Sequence, residues 1–391
     1  MLKERIENLK KEFKKRFSSN DKIRIFSAPG RVNIIGEHTD YNGGLVLPVA
    51  IDRNILAAGR ESADRMLNLA SINFPKEVSC SLDNIKYKKE DDWANYPKGV
   101  AWAIENEGIK LRGADIIFHG NIPLESGLSS SAAIEIVSML TLLGLSDKKL
   151  HKKKMALLAR KAENEFVGVS CGIMDQFIIT FGKKNHALLL DCKSLSYKLI
   201  PFVSENTVII IGNTNVKRGL ANSEYNKRVK ETSEGLKALK EYIGREDIEV
   251  LSDVRLEEFN QYKEKLPHPV DKRCEHVLNE NKRVRKALNF LKDGDLDNLG
   301  KLLISSHNSL KELYEVSSHE LDIMVEEALK ISGVYGARMT GAGFGGCIIA
   351  IADESVKTEF IKKVGKVYKK KTGIKGDFYV CNIENGAREI L

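Results

Sequence analysis

Three strongly polar side chains, Glu37, His38 and Asp40, fall within four residues of the segment Ala28 to Gly44, next to apolar Ile34 and Ile35. Carboxylates accept hydrogen bonds from paired hydroxyls and histidine can donate one, so the segment reads as a loop for recognising a polyol. Asp and Asn beside Gly are also ordinary turn residues, and a capped turn fits the same letters. A second segment, Pro123-Leu-Glu-Ser-Gly-Leu-Ser-Ser-Ser-Ala132, leads into a helix that begins near Ser130. Its glycine lets backbone approach a ligand, its hydroxyls add donors, and the helix start supplies free N–H groups at a positive dipole end. That is an anion cradle by mechanism, although a Ser-rich helix cap is the alternative. It is not a Walker A loop, because no G-x-x-x-x-G-K-[ST] occurs.

The third segment, Cys171-Gly-Ile-Met-Asp-Gln-Phe177, sets Asp175 among apolar residues, as a helix cap or a reactive carboxylate. Twelve residues upstream, Glu163 lies on a helix whose Leu157, Leu158, Ala162 and Phe166 define the buried side. Taken alone it reads as a solvated surface glutamate. The fourth, Met339 to Gly346, satisfies G-x-G-x-x-G at Gly341, Gly343 and Gly346. A dinucleotide fingerprint follows a strand and opens a helix, whereas this one follows a helix ending near Ile331 and runs into a strand. Without a V-A-I-K, H-R-D or D-F-G segment, a protein-kinase glycine loop fails too. A backbone hairpin able to lie against a ligand, or a tight turn, remains.

The elements that must carry these segments follow from hydrophobic period. Leu2, Ile6, Leu9, Phe13 and Phe17 predict an amphipathic helix. Strands are predicted over Ile23 to Phe26, Val46 to Ile51, Ile55 to Gly59, Met66 to Ser71 and Ala114 to His119. Helices are predicted over Ser130 to Leu143 and Lys148 to Val167, the latter stopped by Gly168. After a strand at Val208 to Gly212, a helical stretch runs through Ser223 to Tyr242, Cys274 to Lys292, Leu296 to Tyr314 and His319 to Ile331. Strands return at Cys347 to Ala352 and Asp377 to Ile383, with a helix over Ser355 to Lys371 between them. Two α+β domains result, 1–200 and 201–391.

Composition narrows the function classes. With 391 residues, 42% apolar and 30% charged, the chain is globular, not disordered. No apolar run reaches the roughly 18 residues that a membrane span needs, and the amphipathic start is no signal-peptide core. A cytoplasmic protein without a membrane partner is the expectation. Sixty-two basic against 54 acidic residues leave +8, spread over short runs, which suits an anionic small molecule and not a nucleic acid. The six cysteines show no C-x-x-C and read as reduced thiols. The eight histidines form no zinc pattern.

Together the four segments resemble the galactokinase branch of the GHMP kinases. Gly30 to Tyr41 is similar to its sugar signature, Gly127 to Ala132 to the shared phosphate loop, and Met339 to Gly346 to the third superfamily motif. Asn213 to Arg228 resembles the segment whose tyrosine touches the sugar. The resemblance implies ATP-dependent phosphorylation of the anomeric hydroxyl of α-D-galactose with Mg²⁺, the first step of galactose catabolism. A monomer is the expectation for the assembly. The resemblance puts Glu37, His38, Thr39 and Asp40 on the sugar, with Gly172 and Tyr225 nearby. Glu125, Ser126, Gly127, Leu128, Ser129, Ser130 and Ser131 would lie on the ATP phosphates, Ser131 and Glu163 on magnesium, and Ser71 near the nucleotide. Asp175 would face the reacting hydroxyl, as base or orienter, and Arg31 the transferring phosphoryl group. Glu125 and Ser126 depart from the small residues of many relatives, so the Glu125 side chain is expected to point to solvent. The implied fold is α+β: a mixed-sheet N-terminal domain like domain 2 of ribosomal protein S5, a ferredoxin-like C-terminal domain, and the site in the cleft between them. An N-acetylgalactosamine or other hexose kinase is the alternative within this chemistry. A non-catalytic galactose sensor is the alternative outside it, against which stand Arg31, Asp175 and the intact Ser129-Ser130-Ser131-Ala132.

Overall fold

The computed structural model describes residues 2–17, 22–123, 126–202, 206–216 and 221–391. Helix α1 (Leu2–Phe17) follows the predicted apolar period and buries Leu9 and Phe13 against Ile25, Leu56 and Ile117. Burying each such side chain contributes roughly 1.5–3 kcal/mol. Strands β1 (Arg24–Asn33), β2 (Leu45–Val46), β3 (Pro48–Ser62), β4 (Met66–Ser71) and β5 (Val78–Ser81) come next. Helix α2 (Asn95–Asn106), β6 (Gly113–Gly120), α3 (Ser130–Leu145), α4 (Lys152–Lys161) and α5 (Met174–Phe181) follow. Then come β7 (His186–Asp191), β8 (Tyr197–Pro201) and β9 (Thr207–Asn213). The helical stretch is α6 (Ala221–Ile243), α7 (Leu256–Tyr262), α8 (Val270–Asp293), α9 (Leu296–Glu312) and α10 (His319–Leu329). The chain ends with β10 (Val334–Thr340), β11 (Cys347–Asp353), α11 (Lys357–Thr372), β12 (Asp377–Cys381) and β13 (Arg388–Glu389).

The first sheet has the order β13-β1-β3-β6-β4-β5 and is mixed, since β4 pairs with β6 in parallel and the other neighbours are antiparallel. A small sheet, β2-β7-β8, lies beside it. The second large sheet, β10-β11-β9-β12, is antiparallel. Its order, with helices between β9 and β10 and α11 between β11 and β12, is the ferredoxin-like arrangement.

Strand alternation ties the halves together. Ile209, Ile211, Ile349 and Ile351 face the core that holds Val49, Ala50 and Ile178, whereas Ile210, Ile348 and Ala350 face the one that holds Leu321, Met324 and Phe360. Both faces are covered, which explains the uninterrupted apolar run Cys347 to Ala352. The last strand returns to the first sheet: Phe26 pairs with Glu389, and Arg24 forms a forked pair with Glu389 at 2.7 and 2.8 Å.

Some local readings change. The runs Val46 to Ile51 and Ile55 to Gly59 are largely one strand, β3, because β1 pairs along its whole length through a bulge between Pro29 and Arg31. The helix expected from Lys148 starts at Lys152, and its last turn, Ala162–Val167, is π-helical, with Gly168 N donating to the Glu163 carbonyl. The glycine segment does not follow a helix directly. Strand β10 precedes it, hidden in the sequence by Gly336 and Arg338, and the segment joins β10 to β11 as a hairpin.

Candidate active site

The bulge in β1 places Arg31 against the Ser-rich loop. Arg31 N donates to the Leu128 carbonyl at 3.2 Å, and a Cβ on Gly30 would meet that same oxygen at 2.8 Å. The Arg31 guanidinium forks onto Asp175, Nε to Oδ1 and Nη2 to Oδ2, both at 2.7 Å, while Nη1 donates to the Gly127 carbonyl at 2.6 Å. Burial opposes the Arg31 charge, but Asp175 outweighs it and the arginine pKa is raised. Asp175 lies in the first turn of α5, yet its carboxylate is turned to Arg31 and to the Ser129 hydroxyl, which donates to Oδ2.

Ser129 explains why the loop is more than a cap. It takes a left-handed backbone (φ 62°) at the start of α3 and makes no side-chain cap bond. The two serines after it, Ser130 and Ser131, form the first helical residues, at the end where N–H groups and dipole favour an anion. Ser126 donates to the Pro123 carbonyl at 2.6 Å, and Leu128 is buried. The expectation for the Glu125 side chain lies outside the described residues. Ser71 ends β4 beside Phe118, just before the strand that leads into this loop ends, and its Oγ accepts from Asn73 N at 3.1 Å.

The loop expected to read hydroxyls is gripped from the C-terminal half. Glu37 is buried; its Oε1 accepts from Thr340 Oγ1 and Gly341 N, each at 2.9 Å, and faces Arg338 Nη2 at 3.4 Å. Its Oε2 accepts from Asn33 Nδ2 at 3.1 Å. Gly341 also packs on the phosphate loop, where a Cβ would lie 3.3 Å from the Gly127 carbonyl. The glycine hairpin thus touches both binding loops. His38, with φ 62°, is buried and bonded through Nδ1 to the Tyr41 hydroxyl at 2.8 Å. Burial, then His276, pull its pKa down to about 3, which keeps the ring neutral. Around it lie the tilted rings of Tyr314 (4.8 Å between ring centres) and Tyr225 (5.8 Å). Thr39, expected on the sugar, is fully buried, and its hydroxyl bonds the Gly36 and Leu45 carbonyls at 2.8 and 2.7 Å. That hydroxyl is engaged in holding the loop's own backbone.

Asp40 and Gly172 meet. A Cβ on Gly172 would fall 1.7 Å from Asp40 Oδ2, so this approach requires glycine. Burial, and then the Asp175 carboxylate, push the Asp40 pKa up to about 7. Glu163 is buried, against its reading as a surface residue, because its partners come from other elements. Gln176 Nε2 donates to its Oε2 at 2.7 Å and Cys171 Sγ at 3.1 Å, and the Ser131 side chain also bonds it. Desolvation raises its pKa, the mark of a carboxylate short of positive charge. Gln176 also donates to the fully buried Glu135 at 3.0 Å. Among the described residues no group of three or more His, Cys, Asp or Glu is placed to hold a metal. Ser131 and Glu163 are nonetheless a suitable pair of oxygens for Mg²⁺, an ion that takes one or two protein groups and completes its shell with phosphate and water.

Of the expected residues, the fold gathers Arg31, Glu37, His38, Asp40, Gly172, Asp175, Tyr225, Glu163 and the loop from Ser126 to Ser131. Sequence reasoning missed Arg338, Thr340, Tyr314, Gln176 and Glu135. Glu135 and Arg338 carried a signal, each a charged residue inside an apolar run.

Three family models match: the galactokinase galactose-binding signature over residues 11–61, the N-terminal domain of GHMP kinases over 95–183 and the C-terminal domain over 285–370. The chain is 47% identical to the galactokinase of Clostridium tetani over 98% of both chains. It is 44% identical to that of Bacillus subtilis, covering 98% of this chain and 99% of the other. Among solved structures, Lactococcus lactis galactokinase complexed with galactose superposes with a TM-score of 0.94 at 39% identity, over 98% of this chain and 100% of that one. The mevalonate kinase of Methanococcus jannaschii shares the fold, with a TM-score of 0.68 at 22% identity, over 94% and 100%.

Proposed function

The chain belongs to the galactokinase family, and from that premise we propose how it phosphorylates galactose. ATP gives its γ-phosphoryl group to the anomeric hydroxyl, forming galactose 1-phosphate and ADP. The observation that carries the reading is the forked Arg31–Asp175 pair, tied to the phosphate loop through Gly127 and Ser129 and set beside Asp40. A carboxylate for the acceptor and a guanidinium for the donor are thereby held together, and phosphoryl transfer needs positioning and charge neutralisation above all.

In this assignment Glu37, His38, Asp40 and Tyr225 hold the sugar hydroxyls, with Gly172 against Asp40. Asp175 orients the anomeric hydroxyl and receives its proton as the new O–P bond forms and the bond to ADP breaks. Arg31 faces the transferring group. Ser126 to Ser131 cradle the phosphates, Ser71 lies toward the nucleotide, and Ser131 with Glu163 hold Mg²⁺. That ion, when bound, neutralises phosphate charge. Gln176 keeps Glu163 in place. Residues 1–200 form the sugar- and ATP-binding domain and 201–391 the second domain, apart from the returning strand β13. No helix among the described residues is long and apolar enough to cross a membrane. A monomer working in the cytoplasm is part of the proposal. The test is ADP release with ATP, Mg²⁺ and a sugar panel. Galactose should be the preferred acceptor, and preference for N-acetylgalactosamine, or no release despite binding, would refute the reading.

Two predictions belong here. Glu37→Gln is expected to raise the galactose Kd by roughly five- to hundredfold, the range that 1–3 kcal/mol for an unmatched buried group implies. An unchanged Kd by calorimetry removes Glu37 from the sugar contacts. Galactose binding should also depend on pH through Asp40. Its pKa near 7 in the free protein lies above the ordinary 3.8, so the folded state holds the proton where an unfolded chain has released it. This group's stabilising effect on the fold is therefore present below pH 3.8 and lost as pH rises through 7. Binding needs the ionised acceptor, so affinity should fall up to tenfold per unit as pH drops below 7. Calorimetry in buffers of different ionisation enthalpy should find a proton released on binding near pH 7; a flat Kd from pH 8 to 5.5 contradicts the assignment.

A further inference from the structure

A cavity of about 370 Å³ with charged and apolar lining lies where α1, β1, β3 and the C-terminal segment meet. Arg5, Arg53 and Arg388 line it, with Asp52, Asn54 and Asn121. Its volume falls within the range of small-molecule pockets. The arginines are incompletely neutralised. Among the described residues Arg5 donates to neutral oxygens alone: Nη1 to Asn54 Oδ1 at 2.8 Å, and Nη2 to the carbonyls of His119 and Asn54 at 2.9 and 3.2 Å. Its Nε is buried without a hydrogen-bond partner. Arg53 lies over the Tyr379 ring at 5.4 Å and, among the described residues, has no carboxylate within ion-pair distance. The carboxylates at hand are partly engaged: Asp52 accepts from Asn382 at 3.0 Å, and Glu384 lies 3.9 Å from Arg388. Burial, and then Arg53, lower the Arg5 pKa to about 10, the response of a cation facing another cation and lacking a counter-charge.

We propose that this cavity binds a phosphate dianion, alone or as the phosphate of a sugar monophosphate, with Arg5 and Arg53 as its main partners. Guanidinium forks match phosphate oxygens, and the asparagines suit the hydroxyls of a sugar. The site is wired to the catalytic loop. Asn54 N donates to Asn121 Oδ1 at 2.7 Å and Asn121 N to the Asn54 carbonyl at 3.1 Å, and Asn121 lies two residues before Pro123, where the phosphate-loop segment begins. An anion that draws on Arg5 therefore acts on the residue that anchors this loop, without entering the active site.

The test is calorimetry on the full chain, saturated with galactose and a non-hydrolysable ATP analogue so that the catalytic phosphate site is filled. Glucose 6-phosphate and inorganic phosphate are titrated separately. One further equivalent is expected to bind with a Kd below about 1 mM. Arg53→Ala with Arg388→Ala should weaken it at least tenfold, and Arg53→Glu should abolish it, with activity in the absence of added anion unchanged. Tighter binding of glucose 6-phosphate identifies a sugar phosphate as the ligand, and equal binding identifies phosphate itself. No additional equivalent, or an affinity that neither Arg53 variant alters, overturns the proposal.

Discussion

Asp175→Asn is expected to lower turnover by roughly 10²- to 10⁴-fold while galactose and ATP still bind. The substitution preserves the shape of the side chain and removes its charge and proton-accepting ability. Only a group that contacts the reacting hydroxyl should produce so lopsided a result, with kcat lost and both dissociation constants nearly kept. A second consequence follows from the pair itself. Arg31 is buried, and removing its counter-charge leaves the guanidinium with neutral acceptors, the Gly127 carbonyl and the amide oxygen of the new asparagine, while the asparagine NH2 faces it in place of an acceptor. Losing one partner of a buried pair costs about 3–5 kcal/mol, but the Asp175 side chain is 27% exposed, so about 1–3 kcal/mol is the expected loss of stability. Urea unfolding with and without galactose separates this effect from catalysis, because turnover at saturating ligands should stay low even where the protein is fully folded. Near-normal kcat excludes Asp175 from the reacting centre.

The second large effect is expected from a single methyl group. In Gly172→Ala the new Cβ would stand 1.7 Å from Asp40 Oδ2 and 2.4 Å from Cγ, so the carboxylate must leave its position. Nothing in the backbone at 172 itself demands glycine, since its φ is not positive. The penalty is therefore the collision alone. Galactose affinity should drop roughly ten- to hundredfold, the equivalent of about 1.4–2.7 kcal/mol, with ATP affinity unchanged. In an Asp40→Ala background the same methyl group has little to displace, so the two substitutions should be strongly non-additive. Unchanged galactose affinity in Gly172→Ala, or simple additivity, would separate Asp40 from the sugar site.

The residues behind these predictions were legible to different degrees. Helix α1, strand β4 and the start of α3 follow from local period and from the turn residues beside them, because each buries a face that the nearby sequence alone defines. Strand β10 was obscured, since Gly336 and Arg338 break its apolar run and only pairing with β11 makes it a strand. Glu163 taken alone reads as a surface residue for a related reason: its partners lie outside its own helix, Gln176 on α5 and Cys171 in the loop before it.

From its letters alone, this chain revealed its family and marked candidate reacting groups, because loops that must admit a polyol and a triphosphate need glycine, hydroxyls and carboxylates in short, unusual clusters. Only the tertiary structure decided how those groups act together. Arg31 meets Asp175 across 144 positions and Glu37 meets Thr340 across 303. Ser129 gives its hydroxyl to Asp175 and not to its own helix. Local preference acts over a few residues, whereas the pairing of buried charges depends on which distant strands and helices share a core.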